Sequence, residues 1–283
     1  CKTHKRLSSH TLRAYKNDLM QFYHSDHDCV VSYIEYLTDS TIKTNTLRRK
    51  IASLKVFYSY LMTQNLITEN PFNQLRFQYR TEKTLPKIIP HNILKNLYVY
   101  LKQRVITSKT NFQRQKAERN LLIVSLLLST GIRISELCHI QIKNINLQNQ
   151  TLHILGKGKK ERIIFLGDET TVLLLKTYLA NYCKQSDKYL FPGKISQKPL
   201  TEQSVRLVLK TVREQMNLAN SITPHMFRHS FATMLLDNDV DIRYIQQILG
   251  HSSISITQIY THVSQSKQKE ILTSYNPIAS IHT

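Results

Sequence analysis

The stretch TPHMFRHSFAT, Thr223 to Thr233, decides how the second half of the chain is read. Thr223 is a side-chain cap, and Pro224 suits the first helical position, whose N–H has no intrahelical acceptor to lose. A helix is therefore predicted to open here. Phe227, Phe231 and Leu235 recur every four residues and face a core. His225 and Arg228 lie three apart and share a different, accessible side, where both can aim at one anion. His229 is open between a structural and a functional role.

Working outward, Asp241 to Leu249 reads as a helix stopped by Gly250, followed by a helical pair from about Ser255 to His262 and from Gln265 to Tyr275. Upstream, Thr201 opens a helix carrying Val205, Val208, Leu209, Val212 and Met216 at spacings of three and four. Asn120 to Thr130 is apolar enough to require burial, and Gly131 can end that helix in the left-handed conformation. Ser135 and Glu136 then begin a short helix, so Arg133 emerges at a helix junction. Between Asn146 and Leu166 the period changes to that of strands: Thr151 to Leu155 and Arg162 to Leu166 flank GKGKK, Gly156 to Lys160. This hairpin tip lacks the spacing of a P-loop. Its lysines are either solvated or able to reach a phosphate, Lys157 as a proton donor and Lys159, Lys160 and Arg162 as contacts.

Toward the N-terminus, His91 to Arg104 is a predicted helix and the polar stretch Thr107 to Gln115 a surface insertion. Phe77 to Pro90, with Arg80, Lys83 and Lys87, has no sustained period and reads as a basic linker suited to lying along a nucleic-acid backbone. From Ser8 to Leu66 three helices are predicted, with Ser9 as the cap of the first, Val30 to Leu37 as the second and Thr44 as the start of the third. Along that third helix Leu47, Ile51, Leu54, Val56, Phe57 and Leu61 make the buried stripe, and Arg48, Arg49, Lys50 and Lys55 a wet basic face open to phosphate contacts. The predicted organisation is a helical N-terminal domain over 1–78, a linker over 79–90 and a C-terminal domain over 91–283. The fold class is mainly α with a small antiparallel β-hairpin.

Composition narrows the function. A chain of 283 residues holds roughly two domains at about 150 residues each. With 39 Lys and Arg against 19 Asp and Glu, the net charge of +20 points to a polyanionic partner. Only 6 Gly and 7 Pro, beside 41% apolar residues, argue against disorder. The cysteines, Cys1, Cys29, Cys138 and Cys183, form no CxxC pair for zinc or redox chemistry, which fits a reducing compartment. The apolar run Leu121 to Leu128 falls far short of the ~18 residues that cross a bilayer. No signal peptide is expected from the polar start, whose missing Met suggests trimming; a cytoplasmic, nucleoid-associated protein is expected.

His251 stands just past a helix end, with Tyr260 nine residues on. A phenol with an ordinary pKa near ~10 attacks poorly unless a base and positive charge stabilise its anion. Arg133, Lys157, His225, Arg228 and His251 could supply that setting.

Taken in order, TGIRISEL (Thr130–Leu137), GKGKKER (Gly156–Arg162), HMFRHSFAT (His225–Thr233), LGHSS (Leu249–Ser253) and TQIYTHV (Thr257–Val263) resemble the tyrosine recombinases, or phage integrases. The likeness is nearest to the Xer-type and integron-type members and covers nearly the whole chain, the N-terminal part resembling their core-binding domain. It implies that Arg133 and Arg228 hold the non-bridging oxygens of a scissile phosphate and that Lys157 is the general acid. His225 becomes the general base or orienting histidine, His251 the second histidine and Tyr260 the nucleophile, with Glu136 supporting Arg133. The longer stretch around Thr107 to Gln115 departs from the Xer pattern. Two guanidiniums can stabilise the charge of phosphoryl transfer, and the motif regions hold Glu136 and Glu161 but no paired acids, so neither metal nor cofactor is expected. The implied partners are double-stranded DNA sites, gripped by a two-domain clamp, and further copies in a tetramer, homomeric or with a paralogue. The tail 265–283, with Ile271, Leu272, Tyr275, Ile278 and Ile281, is expected to dock on a neighbouring copy. Two rivals stand beside this: a type IB topoisomerase, and a regulator with a helix-turn-helix over Asp241 to Val263.

Overall fold

Apolar residues at helical spacing build each part of the protein. The computed structural model describes residues 7, 9–75, 87–155, 161–184, 186–194, 197–250 and 265–282. It divides into two units, Cys1–Thr84 and Leu85–Thr283.

In the first unit, α1 (Ser9–Tyr23), α2 (Val30–Asp39) and α3 (Thr44–Thr63) precede a short 3-10 turn, Pro71–Asn73. Val30, Tyr33, Ile34 and Leu37 of α2 meet Ile51 and Leu54 of α3 and Phe72 of the turn in one apolar cluster. Val56, Phe57 and Leu61 are only half-buried, so the stripe on α3 is narrower than its apolar spacing suggests. The basic face of α3 is corrected more sharply. Lys50 is buried and donates to Gln21 of α1, while Arg49 pairs with the buried Asp18. Charged stems turn inward here because α1 offers them acceptors, and burial lowers the pKa of Lys50. Arg48 remains exposed, and Lys55 lies over the ring of Phe72.

The second unit is built on α4 (His91–Ile106) and α5 (Asn111–Thr130). Leu121 to Thr130 is buried without interruption. Thr107 to Gln115 is not one surface loop: Thr107–Thr110 is a short connection, and Thr110 caps α5 by accepting from the Gln113 N–H. The polar residues that follow are the exposed first turns of a longer helix, where no core imposes a period. After α6 (Ile134–Cys138) and a 3-10 turn (Ile142–Asn144) come β1 (Ile145–Asn146), β2 (Thr151–Leu155) and β3 (Glu161–Phe165), an antiparallel sheet in that order. Ile154 pairs with Arg162 and Leu155 with Glu161, so 156–160 connects the strands. Lys157, Lys159 and Lys160 lie outside the described residues, as does Lys83; Lys87 is exposed.

A helix that the sequence reading passes over, α7 (Glu169–Tyr182), follows, capped by Asp168 accepting from the Thr171 N–H at 2.7 Å. Then come α8 (Glu202–Gln215), α9 (Pro224–Asp237), capped by Thr223, and α10 (Ile242–Leu249), capped by Asp241. The predicted helix Ser255 to His262, with His251 and Tyr260, lies outside the described residues. No described helix is long and apolar enough to cross a membrane.

The tail forms α11 (Gln265–Ser274) and α12 (Ala279–His282). Within this single chain it packs on its own unit. Ile271 and Leu272 pack with Phe231, Leu235, Ile245 and Ile248, and Ile278 and Ile281 join the main core. Buried Asn276 donates to the Ser129 carbonyl at 3.3 Å. Gly167 permits the close approach, since a Cβ there would stand 1.8 Å from the Leu272 carbonyl oxygen.

Candidate active site

Two helices of the second unit end at left-handed glycines, α5 at Gly131 (φ 60°) and α10 at Gly250 (φ 63°). A helix C-terminus leaves carbonyls without intrahelical donors and carries partial negative charge, so cations settle there. Arg228, one turn into α9, donates from Nη1 to the Gly131 carbonyl at 2.8 Å and from Nη2 to the Leu249 carbonyl at 2.7 Å. Arg133, the N-cap residue of α6, donates from Nη2 to the next carbonyl, that of Gly250, at 3.2 Å. The two guanidiniums thus hang from consecutive carbonyls. Sequence spacing places Arg228 on an accessible side, but its residue is only 7% exposed, because the two helix ends draw it inward. Burial, with the like charges of Arg133 and Arg162 and against the pull of Glu136, brings its pKa down to about 10.

Glu136 binds this group together. The Arg133 N–H donates to Oε2 at 2.8 Å, closing the cap of α6, and Arg133 Nη1 donates to Oε1 at 3.0 Å. Arg162 of β3 adds a two-pronged contact, Nη1 to Oε1 at 2.9 Å and Nη2 to Oε2 at 2.8 Å. Burial alone would raise the pKa of this carboxyl. The Arg162 fork, the Arg133 N–H and both positive charges outweigh it and hold the group down at about 2. By sequence, Arg162 is one of the cations able to reach a phosphate. Strand alternation instead puts it on the face of the buried Ile164, with a side chain only 17% exposed.

His225 is exposed on α9, one turn before Arg228. His229 has its pKa lowered by burial and by the positive charge of His225 and Arg228. Among the described residues, no three His, Cys, Asp or Glu side chains gather as metal ligands. The group is cationic: Arg133 and Arg162 both bond the carboxylate of Glu136 while Arg228 bonds only carbonyls, and the surplus suits an anion with several oxygens.

A prearranged set of guanidiniums on helix-end carbonyls defines an anion-handling site. Comparison with known proteins gives the particular family. The Phage integrase family profile matches residues 98–267, and that of the phage integrase N-terminal SAM-like domain matches residues 2–65. A tyrosine recombinase of Agathobacter rectalis is 45% identical, the match covering 100% of this chain and 95% of that protein. Tyrosine recombinase XerC of Staphylococcus haemolyticus is 34% identical across 98% of this chain and 94% of its own. The XerH recombinase bound to a palindromic difH substrate shares the fold, with a TM-score of 0.65 at 21% identity over 94% of this chain and 76% of that one. The chain belongs to the phage integrase, or tyrosine recombinase, family and is an enzyme of site-specific DNA recombination.

Proposed function

We propose that this enzyme cuts and rejoins double-stranded DNA through a covalent 3′-phosphotyrosyl intermediate, with Tyr260 as the nucleophile. One observation carries the reading: Arg133 and Arg228 are fixed to the adjacent carbonyls of Gly250 and Leu249, so their free N–H groups can meet one phosphate. Guanidiniums held in advance stabilise the charge that builds on a five-coordinate phosphorus more than they stabilise the ground state. The Tyr260 oxygen bonds to phosphorus as the bond to the 5′ oxygen breaks, and Lys157 gives that oxygen its proton. His225 and His251 handle the phenolic proton and orient the phosphate. A 5′-hydroxyl of a partner strand then attacks the phosphotyrosine and restores Tyr260. The number of phosphoester bonds is conserved, so no external energy source enters.

The net charge of +20 supports duplex DNA as the partner, and the similar XerH recombinase is bound to a palindromic difH substrate. Arg48, Lys83, Lys87, Lys159 and Lys160 remain as backbone contacts in this reading. Assembly as a tetramer on two sites, with tails exchanged between copies or with a paralogue, requires Ile271, Leu272, Ile278 and Ile281 to leave their present seats. Deleting residues 265–283 and assaying synapsis by gel shift tests this: unchanged synapsis removes tail exchange.

The direct test of the chemistry is incubation with nicked suicide duplexes bearing candidate sites. A covalent protein–DNA adduct that maps to Tyr260 and vanishes in Tyr260→Phe is expected. No adduct on any cleavable site, or one mapping to another residue, overturns the proposal. Supercoil relaxation by a monomer without strand exchange would point to a topoisomerase instead.

A further inference from the structure

We infer that Arg162 is a positioning residue, which fixes the phosphate-binding Arg133 by bracing Glu136 and Gly250 from behind and does not itself touch DNA. This rests on the reading of Arg133 given above. Arg162 has its two Nη groups engaged by the two oxygens of Glu136 at 2.9 and 2.8 Å. Its Nε is buried, with no hydrogen-bond partner among the described residues. The fork to Glu136 and the buried Nε turn this guanidinium toward the carboxylate, and its side chain is only 17% exposed.

What it supports is specific. Arg133 donates its side-chain hydrogen bonds to two acceptors, Glu136 Oε1 and the Gly250 carbonyl. Both rest on Arg162. A Cβ at Gly250 would lie 3.1 Å from Arg162 Cδ and 3.2 Å from Nε and Nη1, so the side chain lies directly beneath the α10 cap. Glu136 is a buried anion, and with Arg162 removed only Arg133, among the described residues, would remain to neutralise it at contact distance. Arg133 would then be drawn onto Glu136, and the surplus charge of the site would be halved. With Arg162 present, the carboxylate is already matched and serves as a rest for Arg133.

The test uses the full chain, with Arg162→Gln, Arg162→Lys, Glu136→Gln and the Arg162→Gln/Glu136→Gln pair, each checked for folding by its melting curve. Single-turnover cleavage of the nicked duplex that the unaltered enzyme cleaves fastest gives the rate at saturating DNA. Gel shifts over a salt series give affinity and its slope. Arg162→Gln should lower the cleavage rate about 10- to 100-fold, short of the 100- to 1,000-fold of a direct donor, with the salt slope unchanged. Arg162→Lys should recover part of the rate. The paired variant should be no slower than Glu136→Gln alone, because both act along one path. A salt slope reduced by about one with undiminished cleavage of bound DNA would make Arg162 a phosphate contact and overturn the inference. So would losses that multiply in the pair.

A second readout needs no DNA. The Arg133 side-chain Nε–H signal in nuclear magnetic resonance should be distinct in the unaltered enzyme and averaged in Arg162→Gln. An unchanged signal sinks the inference, whatever the DNA chemistry does. Loss of adduct from the unaltered enzyme, with this signal still responding to Arg162→Gln, would discard the proposed chemistry and keep the positioning role.

Discussion

Both units draw cationic side chains inward, and they do so to opposite ends. In the first unit, Arg49 and Lys50 reach across from α3 to side chains of α1, Asp18 and Gln21, and tie two helices together. In the second, Arg133 and Arg228 hang mostly from main-chain carbonyls at two helix ends, and the carboxylate of Glu136 is bonded by Arg133 and Arg162 but not by Arg228. A buried cation matched by side chains of a neighbouring helix is cement. Cations anchored on backbone, with too few acids among them, leave charge for something outside the chain. Type and burial do not separate the two cases; the identity of the acceptors does.

That contrast breaks most visibly at Arg228. Arg228→Lys keeps the charge but cannot span the Gly131 and Leu249 carbonyls, so single-turnover cleavage should fall on the order of 1,000-fold while DNA binding by gel shift persists. Retained cleavage would mean that the fork is only structural.

Next is the acid side of stability. Glu136 is held at about 2 in the folded protein against an ordinary 4.5, so its contribution is complete above pH 4.5 and is lost as pH falls toward 2. Linkage puts that loss on the order of 3 kcal/mol, and Glu136→Gln should flatten the fall in melting temperature across this window relative to the unaltered enzyme. Equal acid sensitivity in both would place the protecting carboxylate elsewhere.

Gly131→Ala tests the helix end itself. A Cβ there meets Phe231 Cδ1 at 2.5 Å in a left-handed backbone, and about 2 kcal/mol should be lost in denaturant unfolding. The smallest effect belongs to the first unit. Asp18→Asn should cost about 1 kcal/mol, since Arg49 is 40% exposed and can turn to water, and should leave cleavage of bound DNA unchanged. A cleavage defect in Asp18→Asn would erase the distinction between the two clusters.

The sequence discloses the second unit well wherever a local rule acts alone. Thr223-Pro224 announces α9, Gly131 announces the end of α5, and the change to alternation announces the hairpin. It discloses less where a distant partner decides. Lys50 and Arg49 look solvated until α1 supplies Gln21 and Asp18 from about thirty positions away, at separations of 29 and 31 residues. Arg162 looks like one more cation in GKGKKER, although its parity with Ile164 and Leu166 already placed it on the inner face. α7 hides because Val172 to Leu175 is apolar at every position and Thr170, Thr171 and Val172 are β-branched, which blurs its period; Asp168 was the available signal. The start of α5 is obscured for the opposite reason, since Asn111 to Lys116 is exposed and, Phe112 apart, polar.

The proposed chemistry requires Arg133 and Arg228 to receive one reacting phosphate together. A crystal structure of the enzyme on a nicked duplex with orthovanadate at the cleavage position reads this directly. The account predicts the two guanidiniums on non-bridging oxygens of the same vanadium, with Tyr260 in line; a vanadate bound away from either arginine would contradict it.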